Sequence, residues 1–338
     1  MSNAQGIAAL KRIAFLLERE LAPTYRVRAF RSAAAILEQL DDDELGELVR
    51  TDRLTELEGI GPKTSAVFMQ ARNGNEPEYL KELEAKPAPS PGAGRGLFSA
   101  LKGDLHVHSD WSDGGSPIDE MAKTAAELGH AYVALTDHSP RLTVARGLTA
   151  DRLRQQLDVV ARVNAELAPF RLLTGIEVDI LDGGELDQEP ELLAQLDVVV
   201  ASVHSKLRMD SGVMTPRMVK AIANPNVDVL GHCTGRMVTE NKNRPESEFE
   251  ADLVFEACRQ FDVAVEINCR PERRDPPQRL ISLALERGCM FSIDTDAHAP
   301  GQLAWQPLGC ARAADSGVTP DRVVNTWDLA ALTAWTTR

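Results

Sequence analysis

Cysteine is scarce in this chain, and its pattern argues against two common frameworks. The 338 residues include five cysteines, an odd number, with no C-x-x-C pair among them. All five fall in apolar segments of the last third of the chain: Cys233, Cys258, Cys269, Cys289 and Cys310. A disulfide scaffold or a zinc knuckle needs paired cysteines, so we expect reduced cysteines that pack in the core.

Long apolar runs and glycine-rich nucleotide loops are missing as well. No stretch approaches the roughly 18 uninterrupted apolar residues that span a bilayer. The first residues lack the apolar core of a secretory signal peptide. No G-x-G-x-x-G fingerprint follows a β-branched run. We therefore expect a cytoplasmic protein with no membrane partner and no nucleotide cofactor.

Positive charge is in deficit. Lys and Arg number 37 against 51 Asp and Glu, which gives a net charge of −14. Coating nucleic acid without specificity needs a basic field, so the charge excludes this behaviour for the chain as a whole. A local basic patch and carboxylates gathered around metal ions are compatible with this charge. Hydrophobic residues make up 43% of the chain, which is enough for a large core.

One break in composition divides the chain. Residues 86–96 read KPAPSPGAGRG and interrupt every apolar period, which is typical of a linker. We expect a small all-α domain over 1–85, a Pro/Gly linker over 86–102 and a larger domain over 103–338. In the first domain, apolar residues recur at helical spacing, and the turn Gly59-Ile60-Gly61 separates two helical stretches.

The larger domain alternates short β-branched runs with helical patterns. Seven strand candidates cover residues 103–108, 131–137, 171–178, 197–204, 227–232, 263–268 and 289–295. Seven successive strand–helix units predict an α/β fold in which a parallel sheet closes into a TIM-like barrel. An open doubly wound sheet is the structural alternative.

Six of the seven histidines lie at or just past the end of a predicted strand. They are His106, His108, His138, His204, His232 and His298, whereas His130 precedes a strand. Parallel strands end on one face of a barrel, so these six would line one cleft. Any single one would equally suit a polar loop residue, but six at one end favour a metal site.

Carboxylates accompany the histidines at the strand ends, among them Asp113, Glu177 and Asp296. Imidazole and carboxylate together are ligands of Zn²⁺, Mn²⁺ and Fe²⁺. This donor set exceeds the needs of one ion. Two or three neighbouring divalent ions, which activate water and neutralise phosphoryl oxygens, would suit phosphoester hydrolysis.

Six motifs, in order, resemble the polymerase and histidinol phosphatase (PHP) superfamily. They are DLHVHS (104–109), TDHS (136–139), GIEVD (175–179), SVHS (202–205), GH (231–232) and DTDAH (294–298). The resemblance implies a distorted (β/α)7 barrel with a trinuclear metal centre of zinc, manganese or iron. It implies that the first ion takes His106, His108 and Asp296, the second His204 and His232, and the third Asp113, His138 and His298. Glu177 would bridge the first two ions.

Two further segments resemble bacterial family X DNA polymerases, which carry a PHP domain at their C-terminus. The pattern Asn268-x-x-Pro271-x-Arg273-x-Asp275 is similar to the loop after their sixth strand and implies an arginine that holds phosphate. The candidate substrate-phosphate residues are Arg270, Arg273, Arg274 and Lys206. The candidate catalytic residues are Glu177 and Arg273. The nucleotidyltransferase domain of those polymerases has no counterpart here, so we expect no polymerase activity.

Residues 7–85 resemble the small N-terminal domain of the same polymerases, through YRVRAFR (25–31) and the helix-hairpin-helix pattern LxGIGxK (57–63). The implied DNA contacts are Arg26, Arg28, Arg31, Gly59, Ile60, Gly61 and Lys63. Residues 1–86 carry 12 Lys and Arg against 15 Asp and Glu. We therefore expect a local contact that salt weakens. Use of the motif for packing or protein contacts is the alternative.

Three functions agree with these observations. The first is a metal-dependent phosphodiesterase for DNA ends, a 3′→5′ exonuclease or a 3′-end-processing enzyme of DNA repair. The second is a small-molecule phosphomonoesterase, such as a histidinol-phosphate or nucleotide phosphatase. The third is a non-enzymatic adaptor of DNA repair whose barrel holds metal for stability. The intact ligand set beside a DNA-type N-terminal domain favours the first, and the oligomeric state is left open.

Overall fold

A computed structural model describes residues 2–239 and 243–337 of the chain. The chain forms two compact units, which divide between Ala88 and Pro89. Over the described residues, the first unit is helical, and the second combines helices with a parallel sheet. None of the helices in the described ranges is both long and apolar enough to cross a membrane.

Amphipathic helices build the first unit. They are α1 (Asn3–Arg19), α2 (Thr24–Gln39), α3 (Asp42–Arg50), α4 (Pro62–Arg72) and α5 (Glu78–Glu84). The apolar stripes of α1, α2 and α4 meet around Leu10, Ile13 and Phe68, all of which are fully buried. The Asp41 side chain accepts a hydrogen bond from the Glu44 backbone N–H and so caps α3. The all-α character predicted for the N-terminal region is confirmed.

The Gly59-Ile60-Gly61 turn leads from the short 3-10 helix Leu54–Glu56 into α4. Gly59 has a φ of +93°, and a Cβ there would lie 2.7 Å from Ile36 Cδ1, so a larger residue would be strained. Ile60 is buried, and Gly61 precedes Pro62 at the first helical position of α4. The buried Ile60 side chain therefore fixes the turn to the core of the first unit, while Gly59 and Gly61 stay exposed.

Nine strands occur in the described part of the second unit. They are β1 (Gly103–Val107), β2 (Tyr132–Leu135), β3 (Arg171–Asp179), β4 (Val198–Ser202), β5 (Val229–Leu230), β6 (Met237–Val238), β7 (Asn243–Arg244), β8 (Ala264–Asn268) and β9 (Phe291–Asp294). Seven form one parallel sheet in the order β1-β2-β3-β4-β5-β8-β9, and β6 pairs antiparallel with β7. Each sheet strand lies beside its predecessor, as in a barrel.

One helix precedes the first sheet strand, and the others follow sheet strands along the chain. They are α6 (Arg95–Ala100), α7 (Ile118–Glu127), α8 (Ala150–Leu167), α9 (Pro190–Leu193), α10 (Ser211–Ile222), α11 (Ala251–Gln260), α12 (Gln278–Glu286), α13 (Gln306–Asp315) and α14 (Leu329–Thr336). The sheet strands are buried almost throughout, as expected for a parallel sheet. The five cysteines are buried and form no disulfide.

The sheet closes between β1 and β9 mainly through side chains. Only one backbone bridge, Val107 to Ala297, joins the two edges in the described residues. Earlier along both strands, side chains make the contacts between the edges. Asp294 Oδ1 accepts a hydrogen bond from the Leu105 N–H at 2.8 Å, and the Thr295 N–H donates to Asp104. Burial raises the pKa of Asp104 to about 7. The predicted seven-stranded barrel is confirmed, as a nearly closed one.

Residues 86–102, predicted as a linker, are partly helical. A short 3-10 helix, Gly92–Gly94, continues into α6, and Leu97 of α6 is buried in the core of the second unit. A Cβ at Gly94 would lie 2.2 Å from the Cys310 carbonyl oxygen, so glycine permits close packing on α13. The Pro/Gly composition thus indicates a break in periodicity, but the second half of the segment packs on the barrel.

Asn325 ties together the seam between β1 and β9 and offers a test of it. Its side chain is fully buried, accepts from the Ile293 N–H, and donates toward the carbonyl oxygens of Gly103 and Ile293. Asn325→Ala leaves these buried groups unsatisfied, so we expect the free energy of unfolding to fall by about 3 kcal/mol. Chemical denaturation of the second unit measures this. Gln195→Ala, on the exposed surface, is the control and should change it by under about 0.5 kcal/mol.

Candidate metal centre

The strand order brings the predicted donors to one place. His106 lies in β1 and His108 directly after it, His138 follows β2, Glu177 lies in β3, and His204 and His232 follow β4 and β5. Asp296 and His298 follow β9. Since all seven sheet strands are parallel, these positions share the C-terminal end of the barrel. Gly231 permits the close approach of β5, because a Cβ there would lie 2.2 Å from Ser202 Oγ.

The Glu177 carboxylate lies at the centre of the cluster. Its Oε1 is 2.8 Å from His232 Nε2 and 3.1 Å from His204 Nε2. Its Oε2 is 2.9 Å from His138 Nδ1, 3.3 Å from His106 Nε2 and 3.5 Å from His108 Nε2. Each carboxylate oxygen therefore faces a different set of imidazoles. Such a group can bridge two cations.

Among the residues that the structure describes, donor atoms fall into four groups, and the atoms of each group lie no more than 4.8 Å apart. They are His106/His108/Asp296, His108/Asp113/His138/His298, His138/Glu177/His204 and His106/Glu177/His232. The first two groups contain the sets that the resemblance implies for the first and third ions. The implied second set also meets, because His204 Nε2 and His232 Nε2 lie 3.1 Å and 2.8 Å from the same oxygen, Glu177 Oε1.

Unsatisfied polar atoms show that this cluster suits cations. Buried nitrogens without a hydrogen-bond partner include His106 Nε2, both ring nitrogens of His108 and of His204, and His232 Nδ1. Glu177 Oε2 is likewise buried without a hydrogen bond. Buried polar groups normally find a partner, because an unsatisfied one costs about 1–3 kcal/mol. Divalent ions would satisfy these donor atoms, so the residues fit a metal centre of the expected chemistry.

Charges within the cluster shift the pKa values in opposite directions. Burial lowers the pKa of His106, but the carboxylates of Glu266, Glu177 and Asp296 outweigh burial and raise it well above the usual range. The pKa of His204 is also raised, to about 9, because Glu177 and Asp179 overcome its burial. Without metal, these two imidazoles are protonated at neutral pH.

His108 behaves differently. Burial, together with repulsion from the rings of His298 and His138, holds its pKa well below the usual range. The Glu177 carboxyl is deeply buried, which by itself would raise its pKa. The imidazoles of His204, His106 and His138 overcome this and hold the pKa well below the ordinary value. Glu177 is therefore ionised and available to cations across the physiological range.

Glu266 and Asn268 of β8 support the cluster, although neither is among the nine predicted ligands. Glu266 Oε1 lies 2.5 Å from His106 Nδ1, and this contact directs the other ring nitrogen toward Glu177. Asn268 Nδ2 donates to Glu266 Oε2 and to Asp296 Oδ2. The signal was the polar i, i+2 pair in the otherwise apolar strand VAVEIN. Among the other strand-end carboxylates, Asp179 contacts His204, with 3.4 Å between Oδ1 and Nδ1.

Arg217 of α10 is another residue that sequence reasoning missed. The residue is 2% exposed, and its guanidinium donates to the carbonyl oxygens of Leu181, at 2.9 Å, and Ser205, at 3.0 Å. It also donates to the carbonyl oxygen of Ile180. Ile180 and Leu181 directly follow β3, which carries Glu177, and Ser205 lies in the segment after β4, beside His204. Arg217 thus fixes two donor-bearing segments against each other.

Asp296 and Arg273 form a buried ion pair at the edge of the cluster. Arg273 Nε lies 2.9 Å from Asp296 Oδ2, while Asp296 Oδ1 is 3.4 Å from His108 Nε2. Asp296 has a φ of +51°, a left-handed conformation that aspartate tolerates better than most residues. Burial would raise the pKa of Asp296, but Arg273 and Arg270 hold it well below the usual range.

The other predicted phosphate ligands differ in position. Arg270 reaches the cluster, with Nη1 2.9 Å from His298 Nδ1 and from the Asp296 carbonyl oxygen. Lys206 is 63% exposed and pairs with Asp182 at 2.6 Å, away from the donors of the cluster. Arg274 is exposed, bonds to the Pro271 carbonyl oxygen and lines a separate cavity. The arginines 270 and 273 are therefore those in contact with the cluster.

The predicted DNA contacts of the first unit also fall into two sets. Arg28, Gly59, Gly61 and Lys63 are exposed. Arg31 instead forms a bidentate ion pair with the buried Glu18, in which both N–O distances are 2.7 Å. Arg26 donates to the Tyr79 hydroxyl, and Lys63 Nζ lies 3.4 Å from the centre of the Tyr79 ring. Ile60 is part of the core.

Comparison with known proteins agrees with this architecture. A PHP domain profile matches residues 104–270, and a helix-hairpin-helix domain profile matches residues 1–73. The barrel with its imidazole–carboxylate cluster defines a metal-dependent phosphoesterase. The chain belongs to the PHP superfamily and carries an N-terminal helix-hairpin-helix domain.

Individual relatives have different names. The chain is 39% identical over 229 residues to the DNA polymerase/3'-5' exonuclease PolX of Bacillus subtilis (strain 168). That match covers 68% of this chain but 40% of the relative. The chain is 27% identical over 234 residues to a probable phosphatase of Thermoanaerobacter sp. (strain X514), covering 66% of this chain and 89% of that protein.

A similar solved structure is the histidinol phosphate phosphatase of Lactococcus lactis subsp. lactis Il1403, complexed with zinc, L-histidinol and phosphate. It matches with a TM-score of 0.46 and 17% sequence identity. The match covers 65% of this chain and 95% of that one.

The raised pKa values of His106 and His204 lead to a prediction. Metal ligation requires neutral imidazole, so loading the metal-free protein at pH 7 should release roughly two protons. The release should fall as the pH rises past 9, because His204, with a pKa of about 9, is then already neutral. Calorimetric titration in buffers of different ionisation enthalpy measures the proton count.

Two single-histidine variants serve as comparison for this titration. His204→Ala should release about one proton fewer at pH 7. His130→Ala should match the wild type, because burial lowers the pKa of His130 to about 4 and it carries no proton at pH 7. An unchanged proton count in His204→Ala would contradict the protonation state inferred here.

Proposed function

We propose that this protein hydrolyses phosphodiester bonds at DNA ends, as a 3′→5′ exonuclease or a 3′-end-processing enzyme of DNA repair. The observation that carries the proposal is the convergence of six histidines on Glu177, Asp113 and Asp296, in a chain that also has a helix-hairpin-helix domain. A relative that is 39% identical is named a DNA polymerase and 3'-5' exonuclease, and this name supports the same choice.

The candidate ligands are His106, His108, Asp113, His138, Glu177, His204, His232, Asp296 and His298, for two or three ions of zinc, manganese or iron. Bound divalent ions supply a water of lowered pKa and neutralise phosphoryl oxygens. Glu177 would hold metal through both of its carboxylate oxygens. Glu266 orients the ring of His106 through a 2.5 Å contact, and the Asp179 carboxylate lies 3.4 Å from His204 Nδ1.

Arg273 and Arg270 are the residues that would bind the phosphate. Both guanidiniums lie beside Asp296, and Arg273 is 16% exposed. A guanidinium can hold two phosphate oxygens at once. Its hydrogen bonds strengthen as negative charge grows on the oxygens of the pentacoordinate phosphorus. Partial burial makes this contribution larger than it would be in water.

The first unit would hold the DNA strand. The Gly61 N–H donates to Thr64 Oγ1 at 3.0 Å. The exposed turn nevertheless presents the N-terminus of α4, which can meet a backbone phosphate. Arg28 and Lys63 add exposed positive charge. Because this unit has a net negative charge, its electrostatic contact with DNA is restricted to these few positive groups. Such a contact suits an enzyme that must release and rebind a shortening strand.

A small-molecule phosphomonoesterase is the second candidate. The relative named a probable phosphatase matches this chain over 89% of its own length, a far greater share than the 40% of the polymerase. The metal cluster and its arginines would serve a phosphomonoester equally well. On this alternative, the helix-hairpin-helix domain would have no role in the chemistry.

Product analysis distinguishes the two candidates. We expect the manganese-loaded protein to shorten a 5′-labelled DNA with a 3′ tail into a ladder, because water attacks successive bonds from the 3′ end. His106→Ala should abolish the ladder, a loss of at least about 100-fold, since it removes a donor shared by two groups. Gel electrophoresis follows the products, and His130→Ala should retain wild-type activity.

Parallel incubation with histidinol phosphate decides the alternative. Intact DNA beside released inorganic phosphate would overturn the nuclease proposal in favour of the phosphomonoesterase. Hydrolysis of neither substrate with manganese, zinc or iron would overturn both and favour a non-enzymatic role.

The first unit offers a separate prediction on DNA binding. Arg28→Ala and Lys63→Ala should each reduce the salt dependence of DNA affinity by about one ion. Arg31→Ala should instead lower the free energy of unfolding by about 2–3 kcal/mol, because it removes two charge-assisted hydrogen bonds from the buried Glu18. Fluorescence anisotropy over a salt series and chemical denaturation measure the two effects.

Lys11→Ala is the charge-matched control for these variants. Lys11 is exposed on α1 and pairs with Glu38, so its loss should leave both DNA affinity and stability nearly unchanged. Equal loss of affinity in Lys11→Ala and Lys63→Ala would show that general charge, rather than the hairpin, holds the DNA.

A further inference from the structure

A cavity of about 460 Å³ lies beside the candidate metal centre and contains none of its donors. It opens between the segment after β8, the start of α12 and one side of α13. Arg236, Arg270, Arg274 and Arg312 line it, together with the apolar surfaces of Pro271 and Leu308. Its size lies within the range of small-molecule sites. Four guanidiniums around one cavity are unusual in a chain with a net charge of −14.

In the described part of the chain, Arg274 and Arg312 donate their hydrogen bonds to backbone carbonyl oxygens. Arg312 Nη1 donates to the carbonyl oxygens of Asn268, at 3.0 Å, and Asp275, at 3.4 Å, and Nη2 donates to that of Pro276. Arg274 donates to a carbonyl oxygen in the same segment. Among the residues that the structure describes, neither forms an ion pair, although the Asp315 side chain lines the same cavity.

Burial and neighbouring guanidiniums destabilise the positive charge of Arg312. Burial, and then repulsion from Arg236 and Arg274, lower its pKa to about 10. The nearby Asp275 partly opposes this effect. A cation held close to other cations at the wall of a cavity is stabilised when an anion enters. The other two arginines are already paired, Arg236 with Glu246 and Arg270 with Glu272.

The backbone separates this cavity from the metal cluster. Arg273 turns inward and pairs with Asp296, whereas its neighbour Arg274 has a φ of +50° and faces the cavity. A non-glycine residue in the left-handed region is uncommon, and here it sends consecutive arginines to different sites. Arg270 belongs to both, because it lines the cavity and contacts His298.

We propose that this cavity is a second anion site, which binds a phosphate group next to the candidate metal centre. Arg274 and Arg312 hold the phosphate oxygens, and the apolar wall of Pro271 and Leu308 accepts the sugar or base of a nucleotide. The phosphate comes either from a free nucleotide or from the backbone of a nucleic acid. The site does not depend on which phosphoester the metal centre hydrolyses, so it goes beyond the proposed function.

Phosphate stoichiometry tests the site. Isothermal titration of the full, manganese-loaded chain with inorganic phosphate, and then with a deoxynucleoside monophosphate, should detect two sites in the wild type. Arg274→Glu should weaken one of them at least tenfold while the bound manganese stays unchanged. Arg312→Lys, which keeps the charge but loses the planar fork, should weaken the same site by a smaller factor.

Arg287→Glu is the matched control, because Arg287 is exposed and pairs with Asp252 on another helix. It should leave both phosphate affinities within twofold of the wild type. A single phosphate site in the wild-type protein would overturn the proposal. So would two sites that Arg274→Glu leaves unaltered, or an equal loss in Arg287→Glu.

Binding of a labelled single-stranded oligonucleotide separates the two sources of phosphate. Weaker binding in Arg274→Glu, but not in Arg287→Glu, would assign the site to a nucleic-acid backbone. Unchanged oligonucleotide binding, together with the loss of nucleotide affinity, would assign it to a free nucleotide. Both outcomes support the anion site, and neither depends on DNA hydrolysis, so failure of the proposed nuclease is recognised separately.

Discussion

The contact of one buried carboxylate with five imidazoles is the constraint on which the rest of this structure depends. Glu177 is 1% exposed and meets His106, His108, His138, His204 and His232 through its two oxygens. A charged carboxylate at this depth is costly unless opposite charge surrounds it. Protonated imidazoles provide that charge in the metal-free protein, and divalent ions would provide more of it. Every neighbouring strand must therefore end at the correct height to bring its histidine to Glu177.

The barrel meets this requirement with buried polar contacts rather than with apolar packing alone. Glu266 and Asn268 hold His106 and Asp296 from β8, and Arg217 ties together the segments that follow β3 and β4. At the seam, Asp104, Asp294 and Asn325 replace most of a backbone ladder. Such networks stabilise when every member is satisfied and are costly when one is lost. The same contacts that close the barrel thus also position the cluster.

Arginine has three distinct uses in this acidic protein. Arg31 is an element of the core of the first unit, because it neutralises Glu18. Arg273 turns toward the metal cluster, where it pairs with Asp296. Arg274, one residue later, faces a cavity without a carboxylate partner in the described part of the chain. Only exposed or incompletely neutralised guanidiniums can attract a phosphate, so local pairing, rather than the count of basic residues, determines where anions bind.

Much of this protein could be predicted from sequence, because periodicity and strand-end position are local properties. The β-branched runs predicted seven parallel strands, and the placement of His106, His138 and His204 at their ends predicted that these side chains would meet. Long-range contacts could not be predicted in this way. The pairing of Arg31 with Glu18, the helix within the predicted linker and the opposite directions of Arg273 and Arg274 each depend on which segments pack together. That choice is made by burial and hydrogen bonding in three dimensions, and only the tertiary structure decides it.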